Sequence, residues 1–179
     1  MNKINIAANR LKKGSVIAFP TETVFGIGAL LTKPKAIHKI YRLKKRPRNK
    51  PLQVLVATLE EAQKLGKFNE KALKLAKKRW PGPLTLVVYK TRLAPKVICG
   101  GTNKVGIRIP NHRTTLKLLK LTGPIAATSA NMAGEKPALT TSEVRRQLPT
   151  IDYILPGKVK LGKASKVINV TKGNKILRP

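Results

Sequence analysis

Apolar residues follow two patterns that alternate along the chain, short continuous runs and helical spacing. The continuous runs predict buried strands at 15–19, 52–57, 84–89, 105–110, 124–129, 152–155, 166–170 and 174–178. Helical spacing predicts helices at 3–13, 33–45, 58–65, 69–79, 113–121 and 140–147. Such alternation predicts an α/β or α+β domain with a mixed sheet.

The chain of 179 residues shows no internal repeat, low-complexity linker or break in composition. This length suffices for one domain with its own core, so we expect a single domain over residues 1–179. The N-terminal segment lacks the apolar stretch of a secretory signal. The longest apolar runs are shorter than the ~18 residues that span a bilayer. We therefore expect a cytoplasmic protein with no membrane partner.

Charge changes this picture more than any other feature of the composition. Lys and Arg number 38 against 7 Asp and Glu, which gives a net charge of +31. Asp152 is the only aspartate. The shortage of carboxylates argues against paired-carboxylate catalysis, two-metal sites and EF-hands. The positive charge indicates polyanionic partners such as RNA, DNA or nucleotides.

Cysteine and histidine are also scarce. Cys99 is the only cysteine and the chain has two histidines. No disulfide can form within the chain and no cysteine-based zinc site is available. We therefore expect no residue to bind a metal.

The segment PTETVFGIG at 20–28 directly follows a predicted strand. Ligands in open α/β sheets bind at the carboxyl ends of strands. Thr21 and Thr23 can hydrogen-bond a ligand there, and Glu22 is one of the few acidic residues. A helix N-cap followed by turn glycines would explain the same residues, so both interpretations stay open.

The segment LKKRPRNKPL at 43–52 is strongly cationic. Pro47 cannot lie inside a helix, so the preceding helix should end close to it. Cations such as Lys44 and Arg46 then lie at a helix end and in the following loop. Arg can bind a triphosphate as a bidentate fork and Lys as a point charge. A solvated basic loop is the alternative.

Two later strands also carry polar candidates. Arg108 lies in an apolar strand, and a buried Arg is costly unless it is paired. Because acidic residues are few, we expect an anionic ligand to be its partner. In PIAATSANMAG at 124–134 a strand runs into Ser129 and Asn131, which can bind a phosphate or carbonyl close to the backbone. An ordinary turn is the alternative there, and we interpret Trp80 in WPGPLT as part of a rigid turn.

Six segments, in this order and at these spacings, together resemble the YrdC/TsaC family. They are PTETVFGIG, K-x-R-P followed by P-L, WPGPLT, VGIRIPNH, TSAN-x-x-G, and a serine before a terminal strand pair that closes in LRP. The resemblance spans about residues 14–179. It implies a twisted mixed sheet flanked by helices, with a basic concave face. Phe25, Lys166 and Asn169 stand where the family more often has Tyr, Thr and Asp, and longer relatives carry a further C-terminal domain that we expect this chain to lack.

The resemblance implies an enzyme, an L-threonylcarbamoyladenylate synthase of the nucleotidyltransferase type. Such an enzyme makes threonylcarbamoyl-AMP and pyrophosphate from L-threonine, bicarbonate or CO2, and ATP, with Mg2+ carried on the triphosphate. A transferase complex then uses the product to form N6-threonylcarbamoyladenosine at position 37 of tRNA. The basic face would bind tRNA or double-stranded RNA.

The family's functional residues carry over onto matching positions of this chain. The resemblance implies a catalytic role for Lys44, Arg46, Ser129 and Asn131. It implies ATP binding by these four residues together with Lys50, Lys104 and Arg178. It implies L-threonine binding by Thr23, Arg108 and Ser165, with Arg108 paired to the substrate carboxylate.

Two other functions are alternatives. A non-catalytic RNA-binding protein of the same fold, acting in ribosome or RNA maturation, is favoured by the charge but disfavoured by the K-x-R and S-x-N motifs. A carbamoyl-transfer module like that of hydrogenase maturation factors is disfavoured by the length, because there the domain lies within a much longer chain.

Overall fold

The computed structural model describes residues 2–171 and 173–179, which form one mixed sheet with helices packed on it. The strands are β1 (Ile17–Phe19), β2 (Gly26–Leu30), β3 (Gln53–Leu55), β4 (Gly66–Lys67), β5 (Leu84–Lys90), β6 (Lys104–Arg108), β7 (Ile125–Ser129), β8 (Tyr153–Ile154), β9 (Lys166–Asn169) and β10 (Lys175–Arg178). The helices are α1 (Lys3–Lys12), α2 (Pro34–Leu43), α3 (Leu59–Leu65), α4 (Glu70–Arg79), α5 (Arg113–Thr122), α6 (Thr141–Gln147) and a short 3-10 helix (Lys96–Ile98).

The strands lie in the order β10-β9-β5-β6-β3-β7-β2-β1-β8, and β4 pairs with β5 outside this path. The pairs β1–β8, β3–β6 and β5–β9 are parallel, whereas the other pairs are antiparallel. The predicted mixed sheet flanked by helices is therefore confirmed. The single domain over 1–179 and the basic concave face stay predictions.

Every predicted helix and strand is present with shifts of a few residues at its ends, but β2 and β4 were not expected. The helix N-cap interpretation of 20–28 is wrong, because a strand begins at Gly26. Gly28 is required inside that strand, since an added Cβ would lie 2.5 Å from Ile125 Cγ2 and 2.7 Å from the Ala126 carbonyl oxygen. From the sequence alone, Gly26 and Gly28 indicated a turn. In the structure they allow neighbouring strands to approach closely.

Alternate strand residues bury two apolar clusters on opposite faces of the sheet. Val54 and Ala126 belong to the larger cluster, which also contains residues of α2, α3, α4 and α6. Leu55 and Ala127, one position further along their strands, belong to the smaller cluster with residues of α1 and α5. The helices α1 and α5 therefore cover part of the second face, over the strands near β1 and β2.

The remainder of the second face supplies the floor of a cavity. Strand pairing places Asn169, Val87, Gly106, Gln53 and Ala127 in one row across β9, β5, β6, β3 and β7. All five residues line the cavity.

Among the described residues, no helix is long and apolar enough to cross a membrane.

Candidate active site

The cavity has a volume of about 390 Å³ and is lined by four cationic side chains. They are Arg46, Lys104, Arg108 and Arg178. No Asp or Glu is among the described residues that line it. Four positive groups without a carboxylate between them favour an anionic ligand.

Arg108 is the most buried of these cations, with 2% of its surface exposed. Its Nε donates to the Gly82 carbonyl at 3.1 Å, and its Nη1 donates to Thr23 Oγ1 at 3.1 Å. Nη2 lies 2.6 Å from Glu22 Oε1. Glu22, 86 positions away along the chain, is therefore an acidic partner of Arg108 that the sequence did not predict. The predicted pairing of Arg108 with an anionic ligand stays a prediction.

The contacts of Arg108 leave part of its hydrogen-bonding capacity unused. A guanidinium has five N–H groups, and the contacts with Gly82, Thr23 and Glu22 account for three of them. Burial lowers the pKa of Arg108, and the Glu22 charge opposes that shift. Arg108 lines the cavity, and by this count two of its N–H groups have no partner among the described residues.

Hydrogen bonds connect Arg108 to the hydroxyl groups of Thr23 and Thr21, and together they determine which hydroxyl donates in each bond. Thr21 Oγ1 donates to the Val24 carbonyl at 2.6 Å, and it lies 2.8 Å from Thr23 Oγ1. Because a hydroxyl has one proton, Thr23 is the donor to Thr21. Thr23 Oγ1 accepts from Arg108, so towards the cavity it offers only an acceptor lone pair.

A similar series of hydrogen bonds connects Arg178 to the hydroxyl groups of Ser165 and Thr85. Arg178 donates to the Ser165 carbonyl at 2.7 Å and to Ser165 Oγ at 3.0 Å. Thr85 Oγ1 donates to Gln53 Oε1 at 2.9 Å, so Ser165 Oγ, 2.9 Å from Thr85 Oγ1, donates to Thr85. Ser165 therefore also presents an acceptor to the cavity. Partial burial, and then the like charge of Arg108, lower the pKa of Arg178.

Arg46 and Lys104 are the other two cations that line the cavity. Arg46 Nε donates to the Lys50 carbonyl at 3.2 Å and Nη2 to the Pro51 carbonyl at 2.9 Å, which orient the guanidinium. Lys104 Nζ lies 5.9 Å from the ring centre of Tyr89. Lys50 takes part through its carbonyl oxygen, and its side chain is exposed outside the cavity lining.

Lys44 lies behind the cavity wall, with 2% of its surface exposed. Its Nζ donates to the Ser129 carbonyl at 2.7 Å, to the Asn131 carbonyl, and to Asn131 Oδ1 at 3.1 Å. Burial, and then the neighbouring charge of Arg46, lower the pKa of Lys44 to about 7. The three oxygens act in the opposite direction, because only a protonated amine can donate to all of them.

Seven of the ten predicted site residues line the cavity and three do not. Those that line it are Thr23, Arg46, Lys104, Arg108, Ser129, Ser165 and Arg178. Those outside the lining are Lys44, Lys50 and Asn131. The contacts of all ten with a ligand stay predictions.

Sequence reasoning missed Gln53, Thr85 and the Gly82 carbonyl. It singled out Glu22 as a rare acidic residue but did not predict that this carboxylate pairs with Arg108. Gln53 is the polar residue at the start of an apolar strand, and this was the one signal that could have identified it. The WPGPLT turn has more than the structural role assigned to it, because its Gly82 carbonyl holds Arg108.

The residues present do not form a metal site of their own. No group of three or more His, Cys, Asp and Glu side chains within 2–171 and 173–179 could hold a metal ion. The cavity lining lacks a carboxylate as well.

Comparison with known proteins identifies the family. The Sua5/YciO/YrdC family model, described as telomere recombination, matches residues 9–179. The chain is 40% identical to a threonylcarbamoyl-AMP synthase of Pyrococcus abyssi, over 98% of this chain and 53% of that protein. It is 44% identical to a threonylcarbamoyl-AMP synthase of Bacillus subtilis, over 76% of this chain and 40% of that protein. The chain thus spans about half the length of these two relatives, or less.

The crystal structure of P. abyssi Sua5 complexed with L-threonine superposes with a TM-score of 0.95. Sequence identity in that comparison is 39%, and it covers 100% of this chain and 55% of the other. A family match over 171 of 179 positions, with the same fold in a solved relative, leaves no ambiguity about membership. The chain belongs to the Sua5/YciO/YrdC family.

Proposed function

We propose that this chain is an L-threonylcarbamoyladenylate synthase, which makes threonylcarbamoyl-AMP and pyrophosphate from L-threonine, bicarbonate or CO2, and ATP. The observation that carries the proposal is one cavity lined by four cations and no carboxylate, with hydroxyl acceptors between them. Relatives named threonylcarbamoyl-AMP synthase and a relative complexed with L-threonine support it.

Arg108, Thr23 and Ser165 form the proposed L-threonine site. Arg108 offers N–H groups to the carboxylate, and the Glu22 charge keeps the guanidinium from being an isolated buried cation. The remaining lone pairs of Thr23 and Ser165 complement N–H and O–H donors. L-Threonine carries both kinds of donor, on its amine and on its side-chain hydroxyl.

Arg46, Lys104 and Arg178 form the proposed triphosphate site, and Ser129 and Lys50 belong to the remainder of the proposed ATP site. Three cations neutralise phosphate charge, and the guanidiniums of Arg46 and Arg178 are already oriented by carbonyl oxygens. Mg2+ would arrive on the triphosphate. Lys44 and Asn131 are hydrogen-bonded to each other and to Ser129, although neither lines the cavity.

The proposed chemistry asks the protein for positioning and charge neutralisation. The threonine amine adds to CO2, forming a C–N bond and releasing a proton, to give a carbamate. A carbamate oxygen then attacks the α-phosphorus of ATP, forming a P–O bond while the bond to pyrophosphate breaks. The cations stabilise the charge that develops on the leaving group. No protein carboxylate is needed as a base.

Pyrophosphate release tests the proposal. Purified protein is mixed with ATP, Mg2+ and bicarbonate, with L-threonine, with L-serine or with no amino acid. We expect release that depends on L-threonine. The control is Lys74→Met, which removes one exposed charge from α4, and it should keep the activity. Folded protein without threonine-dependent release would refute the proposal.

We further propose that the product serves tRNA threonylcarbamoylation by a transferase complex in the cytoplasm, and that the net charge of +31 lets the chain bind tRNA or double-stranded RNA. Such binding should weaken steeply with salt, because many cations displace counterions. The check is binding to tRNA and to random duplex RNA at matched salt. Equal affinities would exclude specific recognition of tRNA.

A further inference from the structure

Lys44 has no free donor to give a ligand. Its ammonium makes three hydrogen bonds, two to the backbone carbonyls of Ser129 and Asn131 and one to Asn131 Oδ1. An ammonium has three N–H groups, so all of them are used. The side chain is 98% buried and absent from the cavity lining.

The orientation of the Asn131 amide is fixed by its neighbours. Nδ2 donates to the carbonyls of Met132 at 2.9 Å and Glu135 at 2.6 Å, which can only accept. Oδ1 faces the Lys44 ammonium, which can only donate. A flipped amide would therefore lose all three bonds.

The fixed amide determines the direction of the Ser129 hydroxyl. Ser129 Oγ lies 2.6 Å from Asn131 Oδ1, and because that oxygen is an acceptor, Ser129 donates its only proton to it. Ser129 lines the cavity. It therefore presents lone pairs to a ligand, which complement a ribose hydroxyl and not a phosphate oxygen.

The backbone reinforces the same connection. The carbonyl of Lys44 accepts from the Ala133 amide at 3.2 Å, and Lys44 itself closes α2 through a bond from its amide to the Ile40 carbonyl at 3.2 Å. The end of α2 is thus joined to the turn at 129–133 by both the backbone and the side chain of one residue.

We propose that Lys44 is a positioning residue, which acts on the ligand through Asn131 and Ser129 without touching it. The ligand named in the test rests on the proposed function, whereas the connection between Lys44 and the turn does not. A lysine in contact with phosphate would instead need a free N–H group aimed into the cavity.

A double-mutant cycle in ATP affinity tests the proposal, with Lys44→Met, Ser129→Ala and their combination. Calorimetric titration with ATP and Mg2+ should show each single variant weakened about tenfold, and the double variant no weaker than the weaker single variant. Effects that multiply to about a hundredfold would mean that Lys44 acts independently of Ser129, and would overturn the proposal.

Adenosine separates positioning from a phosphate contact. If Lys44 acts through Ser129, Lys44→Met should weaken adenosine and ATP by the same factor. Weakening confined to ATP would overturn the proposal. Lys74→Met is the charge-matched control on the exposed surface of α4 and should leave both affinities unchanged.

Amide hydrogen exchange tests the connection without any ligand. The Met132 amide donates to Gln147 Oε1, and the Ala133 amide donates to the Lys44 carbonyl. Lys44→Met should speed hydrogen exchange at these two amides and leave the exchange rates in β5 unchanged. Unchanged rates at Met132 and Ala133 would overturn the proposal. Faster exchange in a protein that binds no ATP would sustain it and refute the proposed function instead.

Should Lys44→Met fail to fold, Asn131→Ala replaces it in the double-mutant cycle and in the comparison of adenosine with ATP. This variant keeps the lysine charge and removes the amide that links Lys44 to Ser129. We expect the same lack of additivity with Ser129→Ala. Full ATP affinity in Asn131→Ala would overturn the proposal.

Discussion

Lys44 and Arg108 are both cations with 2% of their surface exposed, yet the fold satisfies them in different ways. Arg108 is paired with the Glu22 carboxylate and also donates to two neutral oxygens. Lys44 has no acidic partner within the described part of the chain and donates to three neutral oxygens of one turn. The first arrangement leaves N–H groups over for the cavity, and the second leaves none.

The difference shows that a buried charge does not by itself mark a ligand contact. A planar guanidinium has five N–H groups in a fixed fork and can serve two partners at once. An ammonium has three N–H groups, and two backbone carbonyls and one side-chain oxygen of a single turn accept from all of them. Of these two equally buried cations, the one with unused donors is therefore the one that lines the cavity.

The largest effect on stability should come from removing the cation of the ion pair. Arg108→Met leaves the Glu22 carboxylate buried and unpaired, so we expect the free energy of unfolding to fall by about 3–5 kcal/mol. Urea denaturation measures it. The double variant Glu22→Gln with Arg108→Met should recover part of the loss, and a single variant as stable as the parent would contradict the ion pair.

Removing Lys44 should cost less, because no opposite charge is left behind. Lys44→Met leaves the Ser129 and Asn131 carbonyls and Asn131 Oδ1 without this donor. We expect a loss of roughly 1–3 kcal/mol in the free energy of unfolding. Lys74→Met should stay within about 0.5 kcal/mol of the parent. Equal losses in the Lys44 and Arg108 variants would remove the contrast between the two sites.

The pH dependence of stability should distinguish Lys44 further. Its pKa is lowered to about 7 in the fold, against ~10.4 in an unfolded chain. Between these values the unfolded chain binds more protons, so the free energy of unfolding rises with pH by at most ~1.4 kcal/mol per unit.

Lys44→Met lacks this contribution, so the stability difference between parent and variant should grow as the pH rises above about 7. Urea denaturation of both proteins over that range measures the difference. A constant difference would mean that the three oxygens keep Lys44 protonated throughout.

The smallest effect on stability is expected at Arg46, which is partly exposed and bonds only to loop carbonyls. Arg46→Ala should change the free energy of unfolding by no more than about 0.5 kcal/mol, while threonine-dependent pyrophosphate release is lost. Thermal melting and the release assay check the two parts. Near-normal turnover with unchanged melting would refute the role of Arg46.

Much of the fold could be predicted from the chain, because apolar runs and helical spacing record which side of each element is buried. The strand β2 could not be predicted in this way. Gly26 and Gly28 occupy it because neighbouring strands approach closely there, and that neighbour, β7, lies about a hundred residues along the chain. A short window of sequence does not contain it.

The candidate site could also be predicted only in part from the sequence. The family motifs indicated seven residues that do line the cavity, because a family motif keeps its chemistry at fixed positions. K-x-R, S-x-N and LRP account for three of the seven, and the other segments that resemble the family account for the rest. The motif could not tell which members face inward. Lys44 and Arg46 are two positions apart, yet one is enclosed by the turn at 129–131 and the other lines the cavity.

The sequence by itself determined the alternation of elements, the excess of positive charge and the polar groups available for chemistry. Only the tertiary structure decided which of those groups have donors left for a ligand. Hydrogen bonds such as Arg108 to Thr23, Ser165 to Thr85 and Lys44 to Asn131 join residues 80 to 87 positions apart. A donor is free or used only once its distant partner is in place, and chain folding alone brings those partners together.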